Sequence, residues 1–407
     1  MSGPLDGVRV LDLTSVILGP YAAQNLADMG ADVTKIESLQ GDIMRLSGPM
    51  RSPKMGHFYL TNNQNKKSIS VDLKSPEGHD IFLKMAVDCD VVLYNIRPKA
   101  MARLGLSYED LCKVNPEIIY VGAFGYSERG PYAGRPAYDD LIQGEVGIPH
   151  LVQQAGADVP RFAPFVLADR LVGLQTANAV VAALYHKKET GHGQRVDVPM
   201  FEGLTSVIAG EHLAGTLFEP AIGPSGYQRS ISPNRRPYAT KDGHICVMVY
   251  SDKQWRIFLD LIGKPEMFEN DARFASQNAR LDNIDYVYGY LSDILGTRTS
   301  KDWIETLLAA DIPVTPMNSI KDVRHDVHLN DIGFFEPVEH PTEGPMVRLA
   351  IPTEWSQSQP EHRHHAPQLG ENTFEILNKL GLSENEIHDL AGKGIIHDPE
   401  ATDTSQT

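Results

Sequence analysis

Val8-Arg-Val-Leu-Asp-Leu13, Gly19-Pro-Tyr-Ala-Ala-Gln-Asn-Leu-Ala-Asp-Met-Gly30 and Asp32-Val-Thr-Lys-Ile-Glu37 succeed one another near the start of the chain. The first is a short, mostly apolar run of strand length, the second a helix-patterned stretch that closes on glycine, and the third reads as a second strand. Strand, helix, strand is the unit of a parallel sheet, because a crossover helix is what returns the chain to the end from which it started. The series continues with a strand over Ser68-Ile-Ser-Val-Asp-Leu73, a helix over 76–87 and strands at Val91-Val-Leu-Tyr94 and Ile118-Ile-Tyr-Val121. Fold class is therefore α/β, with a Rossmann-like large domain. No Gly-x-Gly-x-x-Gly opens the first helix, so a nicotinamide or flavin dinucleotide site lacks its fingerprint. Gly191-His-Gly-Gln194 follows a helix and precedes the strand Arg195-Val-Asp-Val198, which makes it a connecting turn.

Residues 1–205 make the first part of the large domain, and 206–230, rich in Gly, Pro and Ser toward its end, reads as a linker. Arg235-Arg-Pro-Tyr-Ala-Thr-Lys-Asp-Gly243 ends in a turn, and a strand at His244–Val249 and helices around Trp255–Ile262 and Lys301–Ala310 predict a smaller α/β domain over 231–330. Residues 331–398 return to the large domain, and 399–407 read as a disordered tail.

Composition narrows the function. A formal charge of −16 argues against nucleic acid, which demands a basic surface. No apolar stretch approaches the ~20 residues that span a bilayer, and no leader pattern opens the chain, which predicts a cytoplasmic protein without a membrane partner. Cys89, Cys112 and Cys246 form neither a disulfide framework nor a metal set and read as buried, inert thiols. His362, His364 and His365 lack the spacing of a zinc motif, so no metal is expected. A small anionic ligand stays open, because Lys66, Lys67, Lys74, Arg97, Lys99 and Arg103 crowd one stretch.

Asp169, in Pro164-Phe-Val-Leu-Ala-Asp169-Arg-Leu-Val-Gly173, stands where a short apolar run meets a helical pattern. Asp there is a favoured N-cap, and the positive helix end would keep it ionised and nucleophilic.

Taken together, several strings resemble the class III coenzyme A transferases, the family of formyl-CoA transferase and the carnitine CoA-transferases. They are LDGVRVLDLT, Gly19-Pro20, LADMGADVTKIE, Gly41-Asp42, NNQNKKSISVDLKSPEG, NIRPKAMARLGLSYEDLCKVNPEIIYV, the loop from Gly125 to Pro131, ETGHGQRVDV, RRPYATKDG and QLGENTFEILNKLGLS. The likeness runs from about residue 4 to residue 396. It implies that Asp169 attacks an acyl-CoA thioester, passing through a mixed anhydride and an aspartyl-CoA thioester, with no metal or tightly bound cofactor. Coenzyme A itself is substrate, and acyl-CoA and small carboxylic acids are the partners. Asp139 matches a position where formyl-CoA transferase has a glutamate beside the reaction centre. Leu18, Val71, Asp72, Leu73, Lys74, Asn95, Ile96, Arg97 and Arg103 fall where the family holds the nucleotide end of CoA. Ser38 follows Glu37 where many members have Arg, and Tyr94 replaces a frequent Glu; Arg135 supplies a compensating charge. The family also implies an interlocked homodimer.

Backbone amides of Gly223–Gln228 are candidates for stabilising the tetrahedral oxyanion, although the family's glycine run is here Gly223-Pro-Ser-Gly-Tyr227. Arg235 and Arg236 are candidates to hold the distal carboxylate of a dicarboxylic acid such as a succinyl group. Tyr138 stands where the related 2-methylacyl-CoA racemases place the histidine of a His-Asp pair. A tyrosine with a pKa near ~10 is a poor acid/base partner at neutral pH, which disfavours a racemase. A silent CoA-binding protein stays open beside the transferase, and a nicotinamide-dependent oxidoreductase is weakened by the missing glycine fingerprint.

Overall fold

The structure, a computed structural model, describes residues 3–397, so the expected disordered tail at 399–407 lies outside the described residues. Six parallel strands form one sheet: β1 (Arg9–Leu13), β2 (Asp32–Glu37), β3 (Lys66–Ser70), β4 (Val91–Tyr94), β5 (Ile119–Phe124) and β6 (Arg195–Pro199). Their order is β3-β2-β1-β4-β5-β6, so the direction of winding reverses between β1 and β4. Successive strand residues face opposite sides, and both sides are covered. Val10, Val33, Val91, Leu93, Ile119 and Val121 pack with Ala22, Leu26, Ala177 and Val180 of helices Leu18–Asp28 and Leu167–Thr190. Leu11, Leu13, Val92, Tyr94 and Tyr120 belong to the other core with Phe82, Leu377 and Leu390.

The third strand begins two residues earlier than the sequence predicts and ends at Ser70, with Val71 leaving it to form an antiparallel bridge with Ile396. Lys66 hid the strand's start, since its charge is buried against Asp12. A second departure is a hairpin of β10 (Phe335–His340) and β11 (Gly344–Leu349) in the returning segment.

The chain divides into two compact units, one holding the sheet up to Ile142, Phe165–Thr205 and the segment from Asn330 onward. The other comprises Gln143–Pro164 and Ser206–Leu329. Within this second unit β7 (Tyr238–Ala239), β8 (His244–Val247) and β9 (Val314–Pro316) form an antiparallel sheet beside a core of Trp255, Phe258, Phe274 and Trp303. Gln143–Pro164 was expected in the large domain. It belongs to the second unit, where Gly156, at φ +103°, lies close against Pro233. Residues 206–230 are not a bare linker either, since they carry the end of helix Met200–His212, a 3₁₀ turn at Ala214–Leu217 and the start of helix Gln228–Ile231.

Two glycines set the helix positions around the reversal point. A Cβ on Gly173 would meet the Leu18 carbonyl oxygen at 3.0 Å and the Tyr21 ring at 3.1 Å, so glycine lets the two helices of that layer approach closely. A Cβ on Gly19 would overlap the buried Thr14 side chain. Gly19→Ala should therefore lower stability by about 1–3 kcal/mol through overpacking. Gly210→Ala, in a helix with open space around the site, should raise it by about 0.5–1 kcal/mol. Denaturant titrations of both variants check the pair.

Candidate active site

In an open α/β sheet the crevice beyond the carboxyl ends of the strands, where winding reverses, is where ligands bind. A cavity of about 260 Å³ occupies that place. Its walls come from the segments following four strands: Ser15, Val16 and Leu18 after β1, Asn95 to Pro98 after β4, Ala123 to Tyr126 at the end of β5, and Met200 after β6. Arg135, Tyr138, Asp139 and Asp169 complete it. Of the residues singled out by sequence, Leu18, Asn95, Ile96, Arg97, Arg135, Tyr138, Asp139 and Asp169 thus come together.

Asp169 is not the N-cap expected of it. Helix Leu167–Thr190 is preceded by Val166, which offers no capping side chain, and Asp169 lies inside the first turn. Its own amide donates to Oδ1 of Asp139 at 3.0 Å, so the helix end is satisfied by a carboxylate from thirty residues earlier in the chain. Both aspartates are nearly sealed, at 8% and 7% exposure. The Asp169 carboxyl is pushed up to about 7, first by burial and then by the charge of Asp139, with Arg170 pulling the other way. Burial and the charge of Asp139 thus act against the ionisation that the sequence reading expected from the helix end. Arg170 is restrained by Asn62, which accepts from it at 2.7 Å, and by the Tyr21 ring beneath its guanidinium.

The wall after β1 is built unusually. Val16 has φ +73°, a left-handed conformation that a β-branched residue adopts at a cost of about 1–3 kcal/mol. Three side chains hold the turn there. The Val16 amide donates to Asp42 Oδ1 at 3.1 Å, the Ser15 amide donates to Asn95 Oδ1 at 3.0 Å, and Asn95 Nδ2 donates back to the Ser15 carbonyl at 2.7 Å. Lys35 Nζ reaches the Thr14 carbonyl at 2.8 Å and Asp42 Oδ2 at 3.0 Å.

Other expected residues lie elsewhere. Val71 is buried in the apolar core, and Asp72, Leu73 and Lys74 form the turn that leads into helix Pro76–Val87, outside the cavity lining. Arg103 is exposed at the end of helix Pro98–Arg103 and does not line the cavity either. Two of the cations proposed to attract an anion are already committed, Lys66 to Asp12 and Lys67 to Asp32. Arg135 lies over the Tyr132 ring at the cavity rim.

In the second unit Arg235 and Arg236 border a cavity of about 200 Å³ together with Arg229, which sequence reasoning missed. Arg229 Nε donates to the Tyr288 hydroxyl at 2.9 Å. Cys246, expected to be buried, is exposed and lines this cavity, whereas Cys89 is buried and its thiol is pushed up to about 12 by burial. The Gly226 and Tyr227 amides donate to the His212 carbonyl and ring, which removes them from the candidate oxyanion donors. Val16 lies in none of the family-like strings, and Arg170 and Asn62 were not singled out; only their place in the fold marks them.

Among the described residues no helix is long and apolar enough to cross a membrane, and no group of three or more His, Cys, Asp or Glu is arranged to hold a metal ion.

Residues 5–373 match the family described as CoA-transferase family III. The chain is 31% identical over 403 residues to succinyl-CoA:glutarate CoA-transferase of Homo sapiens, covering 98% of this chain and 91% of that one. It is 31% identical over 399 residues to the succinyl-CoA–L-malate CoA-transferase alpha subunit of Chloroflexus aurantiacus, covering 97% and 92%. The crystal structure of Rv3272 from Mycobacterium tuberculosis superposes with a TM-score of 0.80 at 29% identity, covering 92% of this chain and 99% of that one. A match this long, on the fold that places Asp169 at the reversal point, means that the chain belongs to CoA-transferase family III and is a class III CoA-transferase.

Proposed function

We propose that Asp169 is the covalent carrier of the transfer and that the enzyme moves coenzyme A from succinyl-CoA to a second dicarboxylic acid. The observation that carries the first part is a nearly sealed carboxyl, pushed up to about 7, on the wall of the reversal-point cavity. A carboxylate oxygen of Asp169 attacks the donor thioester carbon, the C–S bond breaks, and CoA thiolate leaves an aspartyl–acyl anhydride. The thiolate then attacks the aspartyl carbonyl, forming the aspartyl-CoA thioester and expelling the donor acid as its carboxylate. An acceptor carboxylate displaces the thiolate from Asp169, and the thiolate takes the acceptor acyl group from the new anhydride, restoring the aspartate. No net proton is consumed, which suits a sealed site without a general base.

Asp139 positions the nucleophile by accepting its backbone amide. Tyr138, at 66% exposure, shares the cavity rim without a histidine beside it, so a two-base racemase finds no support. The cavity is too small for a whole CoA and suits the acyl end of the thioester. Asn95, Ile96, Arg97 and Arg135 border it and are assigned to the CoA chain. For Val71 to Lys74 and Arg103 the family resemblance is the support. The dicarboxylate preference is supported by the names of the relatives and by Arg235 and Arg236, now joined by Arg229 around one cavity. The interlocked homodimer rests on the family alone, and the cytoplasmic setting on the sequence pattern alone.

Because the ionised form of Asp169 attacks, kcat/KM should climb with pH and level off above about 7. Asp139→Asn, which removes a like charge, should move that midpoint downward while burial keeps it above the ordinary aspartate value. A raised folded value means that the folded chain binds the proton more tightly than the unfolded one. Stability drawn from Asp169 is thus complete below about pH 4 and is lost as pH rises to about 7. Asp169→Asn should therefore abolish succinyl exchange by at least about 10³-fold yet unfold at higher denaturant than the wild type at pH 8. Parallel pH–rate profiles and urea melts read both effects; transfer retained by the Asn variant would remove the nucleophile assignment. Separately, Arg236→Met should cut the preference for dicarboxylic over monocarboxylic acceptors by about tenfold. An unchanged ratio in competition assays would dismiss the guanidinium site.

A further inference from the structure

A chain turning from a strand into a helix can use glycine or asparagine wherever φ is positive, at little conformational cost. This chain uses Val16, a residue whose branched Cβ resists that conformation most, and half-buries it on the wall of the Asp169 cavity. The strain is held by an unusual investment of charge. The Lys35 and Asp42 side chains are sealed, at 0% and 1% exposure, and their pairing spans 3.0 Å. Each also grips the turn: Lys35 through the carbonyl of Thr14, Asp42 through the amide of Val16. Asn95 closes the other side by bonding both backbone groups of Ser15, and Asn95 itself lines the same cavity. No step of the transfer uses Lys35 or Asp42 directly, so their burial needs another reason.

We propose that Val16 is a positioning residue for the transfer step. The left-handed turn, clamped from beneath by the Lys35–Asp42 pair and from the side by Asn95, is a rigid wall against which the thioester carbonyl is set for attack by Asp169. The inference rests on Asp169 being the nucleophile. Its physical content is that strain stored at Val16 is exchanged for geometry, since a reacting carbon misplaced by about 1 Å loses on the order of 10²-fold in rate. The competing account is that the turn merely joins β1 to the next helix. In that case glycine at this position would serve the fold better and the chemistry equally well.

Val16→Gly separates the two, and it spares the fold where Lys35→Met would leave Asp42 buried without its partner. Three measurements are made on purified full-length protein: melting temperature, CoA dissociation constant by calorimetry, and kcat for CoA exchange between succinyl-CoA and labelled succinate. The expected result is a melting temperature equal to or above wild type, a CoA dissociation constant within about twofold, and kcat lower by about tenfold or more. Val16→Ala, which keeps a Cβ without the branch, should fall between the two in kcat. A Val16→Gly enzyme with wild-type kcat, or one that melts several degrees lower, overturns the inference. Asp169→Asn in the same exchange assay isolates the underlying assignment. If it still transfers CoA, the nucleophile assignment fails and the positioning role falls with it; if it is inactive while Val16→Gly is unimpaired, only the positioning role fails.

Discussion

Three ion pairs sealed from water, linking β1, the start of β3, and β2 with the turn that follows it, are the constraint on which the site depends. Asp12 pairs with Lys66 at 2.9 Å, Lys35 with Asp42 at 3.0 Å and Glu37 with Arg45 at 2.7 Å, and all six side chains are essentially inaccessible. Taking such charges out of water costs several kcal/mol each, so every one must find a partner and further hydrogen bonds. They do: Lys66 also donates to the Pro20 carbonyl and Asn63, and Arg45 to Tyr59 and the Pro367 carbonyl. The network therefore ties the turn after β1, the start of helix Leu18–Asp28 and the returning segment into one arrangement. Losing one partner would strand a charge, which makes the arrangement all or none.

Asp169 shows the same physics with the opposite outcome. Burial alone would raise Asp12, but Lys66 and Lys35 outweigh it and the carboxyl ends below its ordinary value. Asp169 is buried nearly as well, but its near neighbours are another aspartate and an arginine tied to Asn62 and stacked on Tyr21, and it rises to about 7. A buried carboxylate with a full cationic partner is structure. One without keeps a poorly compensated charge, which is what makes Asp169 a candidate for chemistry.

Much of this was legible in the sequence. The strand at Val91–Tyr94 lies where a short apolar run predicted it, since residues facing two covered sides of a parallel sheet are nearly all apolar, and the strand at Asp32–Glu37 lies where the sequence placed it after the helix closing on Gly30, although it carries Lys35 and Glu37. The cluster of Leu18, Asn95, Arg97, Asp139 and Asp169 was named from motifs. What stayed hidden depends on three-dimensional partners. Lys66 reads as a surface cation until Asp12 is found beside it, and the third strand was shifted for that reason. Asp169 reads as an ionised cap because a sequence carries no record of how deeply a carboxyl is buried. Nothing in the letter Val16 announces a positive φ, and two amides of the Gly223–Gln228 loop, those of Gly226 and Tyr227, are spent on His212, at the end of a helix whose last turns the sequence assigned to a linker.

The central claim is that Asp169 carries coenzyme A covalently, and the mass of the enzyme during turnover tests it most directly. Wild-type protein mixed with succinyl-CoA, quenched in acid and digested should yield the peptide bearing Asp169 with the added mass of CoA less water. The adduct should disappear when an acceptor acid is supplied. Steady CoA transfer with that peptide unmodified, or with the adduct on another residue, would contradict the account.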